Sequence, residues 1–483
     1  MAKQDLKNKT VKGAVWSAVD AFSGQGIGFV VGIILANILS PSEYGQLAII
    51  MIFVCVFNCI IDSGFSSALI RKKEATETDY NTAFIANLGL SIIMFTVMIL
   101  SAPYIAEFFK QPTIVPLVRA MASILIINAL MIVQKVRLVR RIDFKTQTRI
   151  SIISSLSSGV VGIAMAYTGF GVWSLVAQQI VKQTLNTTLL WVHNRWVPKL
   201  IFSKNSFREM LNYGWKLLVS GLIDTTWKQV YQVVIGRCYS PASLGQFERA
   251  NQFANIFSSN FTIIINRVSF PVLSSIQDDD EKLRMGYRKV MKSTMFVSFV
   301  CMLGLAAIAK PMILVLIGEE WLRSVEFLQI ICFTGMLHPI HALNLNILQV
   351  KGRSDLFLKL EIIKKLIEII PVLLGIFYSI YWMLIAGVVT GGIAFFINSY
   401  YSGMNINYSS WEQIKDILPS FLIASTMAVV VYGMSYIPLA PIYVLAMQLI
   451  VGALLVIVLS EITRNEAYLE YKNIVLSFIK KNK

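Results

Sequence analysis

Apolar runs of about twenty residues, the length that spans a hydrocarbon core of about 30 Å, recur fourteen times along this chain of 483 residues. They occupy residues 11–39, 44–61, 82–102, 114–133, 150–167, 172–192, 210–236, 244–272, 295–317, 327–348, 360–380, 383–403, 417–437 and 442–462. Helices of that length take up about 280 residues. The remaining residues, about 200, are divided among the loops and tails, too few in any one place for a folded soluble domain. Any function must therefore sit among the helices. Composition agrees: the chain is 56% hydrophobic and 14% charged, with a mean hydropathy of +0.65. The expected fold class is an all-α polytopic membrane protein with 14 transmembrane helices.

The charges set the expected orientation. The chain carries 43 Lys plus Arg against 27 Asp plus Glu, a net charge of +16. If the N-terminus is cytoplasmic, the loops after even-numbered spans and both tails collect 33 of the basic residues. The opposite loops hold only Lys110, Arg237 and Arg323, to which Lys310, inside the ninth run, is added. Such a split predicts cytoplasmic N- and C-termini. The other six basic residues, among them Lys182, Lys216, Lys228, Arg249 and Arg267, fall inside spans. The first span follows four lysines, as a signal peptide would. It is too long and has no A-x-A-like cleavage site, so it is read as retained. Trp173, Trp191, Trp196, Trp321, Trp382 and Trp411 lie at predicted span ends, where an amphipathic ring suits the headgroup layer. Four of the five cysteines sit inside apolar runs and Cys238 ends one, so no disulfide framework is expected.

An internal repeat appears at an offset of 200 residues. Ser40-Pro41-Ser42-Glu43-Tyr44-Gly45-Gln46 matches Ser240-Pro241-Ala242-Ser243-Leu244-Gly245-Gln246. Each copy is a Pro-containing turn that starts a helix. Six spans separate the copies, so both halves cross the membrane in the same sense. That is the pattern of a parallel repeat about an axis along the membrane normal, and such pairs enclose substrate paths.

Charges within spans cost on the order of 3 kcal/mol each on insertion scales and need an explanation. The seventh span carries Lys216, Ser220, Asp224, Lys228 and Gln232 at i+4 spacing. The eighth carries Glu248, Gln252, Asn255, Ser259, Thr262 and Asn266, beside Arg249 and Arg267. Two readings fit these stripes: a wet cavity, or interhelical hydrogen bonding with Asp224 and Lys228 pairing on their own helix. The first half adds Asp20, Asn58, Asp62, Gln178, Gln179, Lys182, Gln183 and Asn186. Asp20, near the middle of the first span, is the foremost candidate for a proton or Na⁺ site, with a local hydrogen-bonded role as the alternative; Asp62 and Asp224 are further candidates for ion coupling.

No G-x-x-x-x-G-K-[ST] phosphate loop is present, so ATP hydrolysis within the chain is not expected. His193, His338 and His341 match no metal signature, and neither a metal nor another cofactor is expected. The acidic run Asp278-Asp279-Asp280-Glu281 precedes a basic helical stretch and reads as a helix start. With no catalytic constellation and no long outer loop of the kind a membrane glycosyltransferase or polymer ligase needs, the chain is not read as an enzyme.

Several motifs carry a resemblance. Gly245-Gln246-Phe247-Glu248-Arg249-Ala250 and the later Phe270-Pro271-Val272-Leu273-Ser274-Ser275-Ile276-Gln277-Asp278-Asp279 resemble the G-x-[YF]-x-R-A and F-P-x-L-S-x-x-Q-x-D pattern of the polysaccharide transporter family. Leu316-Ile317-Gly318-Glu319-Glu320-Trp321 is similar to its L-x-G-x-x-W turn, with an acidic pair where a basic residue is more usual. Gly352-Arg353-Ser354-Asp355 is similar to its G-R-[ST]-D loop, and Leu39-Ser40-Pro41-Ser42-Glu43-Tyr44-Gly45 to its L-[ST]-P-x-[ED]-[FY]-G turn. The branch resembled is the Wzx-type, colanic-acid-like group of lipid-linked oligosaccharide flippases. These belong to the multidrug/oligosaccharidyl-lipid/polysaccharide exporter superfamily, with lipid II flippases and multidrug extruders as relatives.

The resemblance implies two pseudo-symmetric lobes of six helices around a cavity, two extra C-terminal helices, and alternating access without ATP. The corresponding divisions are 1–208, 209–403, 404–462 and a cytoplasmic tail at 463–483. The implied substrate is an oligosaccharide repeat unit on undecaprenyl pyrophosphate, moved from the cytoplasmic to the periplasmic leaflet of the bacterial inner membrane for O-antigen, capsule or exopolysaccharide synthesis. A pyrophosphate needs cations and a glycan needs amides and hydroxyls. Arg249 falls on the family's Arg position and is expected to meet the anionic head. Lys216, Lys228, Lys182, Arg267, Gln252 and Asn255 are expected to line the cavity. Implied partners are the lipid-linked oligosaccharide, membrane lipids and the polysaccharide polymerase and chain-length machinery, and no nucleic acid. The competing reading is a cation-coupled small-molecule exporter on the same fold.

Overall fold

The computed structural model describes the backbone of residues 2–481, and their side chains except those of 2–15, 17, 18, 21, 259–268, 474, 475 and 478–481. Among the described residues all regular structure is helical. The chain divides into two compact units, residues 1–245 and 246–483.

The first unit holds α1 (Ala2–Ala36), α2 (Pro41–Asp62), α3 (Phe65–Arg71), α4 (Glu77–Phe108), α5 (Val115–Arg140), α6 (Phe144–Tyr167), α7 (Val172–Asn194) and α8 (Lys204–Cys238). In it α4 packs on α5, α6 on both α1 and α7, and α8 on α2. A core of Phe65, Leu69, Phe84, Val133, Trp196 and Met210 ties α3, α4, α5 and α8 together. The second unit is entered within α9 (Pro241–Ser274). It continues through α10 (Asp280–Leu316), α11 (Leu322–Gly335), α12 (His338–Val350), α13 (Ser354–Ile367), α14 (Ile369–Phe377), α15 (Ile380–Ile406), α16 (Ser410–Gly433), α17 (Pro441–Ile462) and α18 (Glu466–Lys481). Here α10 is the central helix, packed on α11, α16 and α17.

Each of the fourteen apolar runs lies in helix to within a few residues. Nine helical segments, among the described residues, are long and apolar enough to cross a membrane by length and composition. Of those outside that set, α1, α7, α8 and α9 carry charges and amides that the sequence places inside spans. The protein is thus a multi-pass membrane protein built of helices. Two expected spans are interrupted. The tenth breaks at Met336–Leu337 ahead of Pro339, and the eleventh at Glu368 ahead of Pro371. A proline ring removes one backbone donor and crowds the carbonyl four residues earlier, which sets the breaks at these points.

The helix starts follow the sequence signals. The Glu43 carboxylate takes both the Ser40 N–H (2.7 Å) and its hydroxyl (3.0 Å), with Pro41 opening α2. In the second copy of the repeat, Ser240 Oγ accepts the Ser243 N–H (3.1 Å), with Pro241 opening α9. Side-chain capping of exposed backbone N–H groups is the reason these residues recur there. The acidic run before α10 is a helix start, with Asp279 accepting the Lys282 N–H at 3.0 Å. The Lys282 ammonium and N–H hold the Asp279 carboxyl below its usual range.

The two repeat glycines have a shared purpose. A β-carbon on Gly45 would overlap the Pro241 carbonyl, and one on Gly245 would overlap the Pro41 carbonyl. The two helix starts therefore cross reciprocally, each glycine admitting the other helix's first turn. That reciprocity is what a two-fold relation between the repeats produces.

Trp321 is fully buried and Trp196 nearly so, so both rings pack into the protein interior. The packing boundary also differs from a division after residue 208. The α8 helix joins the first unit through a crossing in which Gly64 (φ +71°) and Gly214 approach backbone to backbone. It is held further by an ion pair from Lys72 to Glu209 at 2.9 Å. Compact units follow packing, whereas the six-helix repeats are a relation of sequence.

Candidate substrate path

A cavity of ≈ 660 Å³ lies inside the first unit, walled by α2, α3, α5, α7 and α8. Its apolar side is formed by residues such as Met51, Ile124 and Met131. Its polar side is Asn58, Asp62, Ser66, Asn128, Lys135, Gln179, Gln183 and Thr225. Asn128 Nδ2 donates to Asn58 Oδ1 across the cavity wall (3.0 Å), while Asn58 Nδ2 donates to the Val54 carbonyl (2.9 Å). Asp62 is the last residue of α2. The left-handed residues Ser63 (φ 45°) and Gly64 (φ 71°) turn the chain sharply there. The Asp62 carboxylate then accepts the Ser66 N–H (3.2 Å) and hydroxyl (2.5 Å), so one oxygen caps α3 on the cavity wall.

Of the residues singled out from sequence, Asn58, Asp62, Gln179 and Gln183 meet in this cavity. Lys135 and Asn128 were missed. Lys135 reads as a loop cation in the sequence because the fourth apolar run ends at residue 133, but α5 continues to Arg140 and carries it onto the cavity wall. The seven-residue spacing of Asn128 and Lys135, two helical turns, was the available signal. Lys182 is half-buried and is not among the lining residues. It has no hydrogen bond or ion pair among the described residues.

The α8 stripe lies elsewhere. Lys216, Asp224 and Lys228 are exposed, and the Lys228 ammonium pairs with the Asp224 carboxylate at 2.7 Å with side chains 70% and 57% exposed. The Lys216 ammonium stands 6.0 Å from the Trp215 ring centroid. The charges thus pair along their own helix and remain on an exposed face.

On α9 the expected anion contact has a different setting. Arg249 is 3% exposed. Its guanidinium lies 5.3 Å over the Trp321 ring centroid, and Nη1 donates to Gln252 Oε1 (2.7 Å). Next to it, Gln246 Nε2 donates to the Glu320 carbonyl (2.6 Å), and Gln246 Oε1 accepts the Ser324 N–H (2.9 Å). Two of the motifs recognised in the sequence, the one around Arg249 and the one ending at Trp321, therefore meet as a single clasp. Gln252 is exposed, and Asn255 is half-buried with its amide donating to Asn251 Oδ1 (3.1 Å). The side chain of Arg267 lies outside the described residues.

Asp20 pairs with α6: Gln147 Nε2 donates to Asp20 Oδ2 at 3.2 Å. The other oxygens of this pair, Asp20 Oδ1 and Gln147 Oε1, are buried and have no hydrogen-bond partner among the described residues. At the basic end, Lys72 bridges Glu209 (2.9 Å) and Asp79 (3.0 Å). The Glu209 hydrogen bond, foremost, raises the Lys72 ammonium above its ordinary range.

These features define a class, the all-helical multi-pass membrane proteins with a polar cavity among their helices. The chain is similar to a solved structure of the lipid II flippase MurJ in an inward closed conformation, with a TM-score of 0.76 at 16% identity, covering 96% of this chain and 100% of that one. Among curated relatives it is similar to the teichuronic acid biosynthesis protein TuaB of Bacillus subtilis (strain 168), 25% identical over 89% of this chain and 90% of the relative. It is also similar to the lipopolysaccharide biosynthesis protein WzxC of Escherichia coli (strain K12), 24% identical over 77% of this chain and 76% of the relative. The profile of the polysaccharide biosynthesis protein family matches residues 34–326, and the chain belongs to that family.

Proposed function

We propose that this protein is a flippase that moves oligosaccharide repeat units linked to undecaprenyl pyrophosphate from the cytoplasmic to the extracytoplasmic leaflet by alternating access, supplying surface polysaccharide synthesis. The observation that carries this reading is the cavity of the first unit. Four amides, a carboxylate, hydroxyls and one lysine are gathered inside an otherwise apolar helical protein. Glycan hydroxyls are bound by such amides and carboxylates, and a phosphate group by a cation. The volume lies in the range of small-ligand sites, enough for part of a repeat unit with the lipid tail left in the bilayer. Nothing in the cycle needs a covalent step.

In this reading the protein resides in the cytoplasmic membrane with both termini inside, the fourteen helices all span, and the lobes follow the repeat at 1–208 and 209–403. The basic residues Arg249, Lys216, Lys228, Lys182 and Arg267, with Gln252 and Asn255, contact the substrate at other stages of the cycle. For Arg249 this requires the guanidinium to exchange Trp321 and Gln252 for phosphate. A polymerase and chain-length machinery would receive the product.

Deleting the protein is expected to make undecaprenyl-linked oligosaccharide accumulate on the cytoplasmic leaflet, measured by leaflet-selective labelling of the glycan. Absence of accumulation would favour a small-molecule exporter. Coupling is assigned to the Asp20–Gln147 pair, with Asp62 and Asp224 as the alternative acids. Asp20→Asn is expected to abolish the dependence of flipping on a proton or Na⁺ gradient; an unchanged dependence in reconstituted vesicles would move the site to another acid.

A further inference from the structure

The connection between α7 and α8, residues 195–203, has no helix, yet its backbone is held firmly. Asn81 Oδ1 accepts the Lys199 N–H (2.6 Å) and Thr82 Oγ1 accepts the Ser203 N–H (3.0 Å). Gln134 Nε2 donates to the Trp196 carbonyl (3.1 Å), and the Trp196 indole donates to Glu77 Oε2 (2.7 Å). Asn81, Thr82 and Gln134 are each at most 1% exposed, so the clamps themselves are anchored in the protein interior. Buried polar groups of this kind are retained when they are hydrogen-bonded, and here their partners are the strap.

What the clamps accomplish is orientation. They turn Trp196 inward and leave Val197, Leu200, Ile201 and Phe202 outward, with Leu200 98% exposed. A segment meant for water has no reason to fix four large apolar side chains in solvent, and contiguous exposed apolar surface marks a binding face. The same stretch carries the exposed cations Arg195, Lys199, Lys204 and Arg208. It lies on the side of the spans where the chain concentrates its positive charge. Apolar tips flanked by cations match the boundary between acyl chains and anionic headgroups.

We propose that residues 195–204 form an interfacial strap: Leu200, Ile201 and Phe202 enter the acyl boundary, and the flanking cations hold the phosphate groups of anionic phospholipids of the surrounding bilayer. The strap would hold the start of α8 at a defined depth. This inference needs only that the protein spans a membrane and is independent of the substrate assigned above.

The test uses the full-length protein carrying Cys238→Ser, which removes the exposed native thiol, and Leu200→Cys labelled with an environment-sensitive fluorophore. It is reconstituted into vesicles of phosphatidylcholine alone or with phosphatidylglycerol. The expected result is a blue-shifted emission quenched by lipids brominated near the glycerol, with quenching increased by phosphatidylglycerol. Replacing Arg195, Lys199, Lys204 and Arg208 by Gln should remove the increase and leave the basal quenching. Aqueous emission without lipid quenching in both vesicle types would overturn the strap. An increase produced by a polyprenyl pyrophosphate but not by phosphatidylglycerol would overturn the assignment to bilayer phospholipids, as would quenching indifferent to phosphatidylglycerol and to the Gln substitutions.

Discussion

Replacing Gly45 by alanine is expected to force apart the starts of α2 and α9 and so depopulate the conformation described here. The added carbon coincides with the Pro241 carbonyl, a backbone group with no rotamer to yield. Overpacking of this kind costs about 1–3 kcal/mol, and a differential of that size shifts a two-state equilibrium roughly 5- to 150-fold. Because the crossing is reciprocal, Gly245→Ala should do the same through Pro41. The double variant should add little, since separating the helices once relieves both overlaps. The readout is labelling of a cysteine placed at Ser243, buried at the crossing, by a membrane-impermeant maleimide in a Cys238→Ser background. Labelling should rise sharply in either alanine variant, together with loss of polysaccharide delivery. Labelling equal to that of the parent would show that the crossing tolerates a side chain and is not what holds this conformation.

The second large effect concerns Arg249. Arg249→Ala uncovers the buried face of Trp321 and leaves Gln252 without its donor. A desolvated cation–aromatic contact contributes about 2 kcal/mol. The variant should therefore lose delivery and also unfold at a temperature several degrees lower. Arg249→Lys keeps the charge but not the planar guanidinium that stacks on the ring, so it should fall between the two in unfolding temperature. Loss of delivery at an unchanged unfolding temperature in both variants would make Arg249 a ligand contact alone and refute its part in the clasp. Full delivery by Arg249→Ala would remove it from the transport cycle.

The contrast between these two sites shows what kind of information each rests on. The glycine crossing was half legible: the repeat announced two equivalent helix starts, but a matching Gly in two places does not say that the two places touch. The clasp was legible as two motifs and illegible as one object, because Arg249 and Trp321 belong to different helical segments. The cavity was legible only in part: Asn58, Asp62, Gln179 and Gln183 stand out in the sequence, but the regular charged rows of α8 and α9 do not show that amides of α2, α5 and α7 share one walled volume.

The sequence by itself determined that the chain is a helical membrane protein, where its helices begin, which loops are basic and which family it belongs to. These depend on local quantities: the apolar length needed to cross a bilayer, the capping groups at a helix start and the sign of a loop's charge. Tertiary structure alone decided that α8 packs with the first unit, that Lys135 joins Asn58 and Gln179, that Arg249 lies over Trp321, and that the strap turns Leu200 outward. Helical periodicity tells which residues share a face but not which neighbour that face meets. That choice is made by close approach at glycines, by buried amides that must find partners, and by rings that fill a core, and those pairings link residues far apart in the chain.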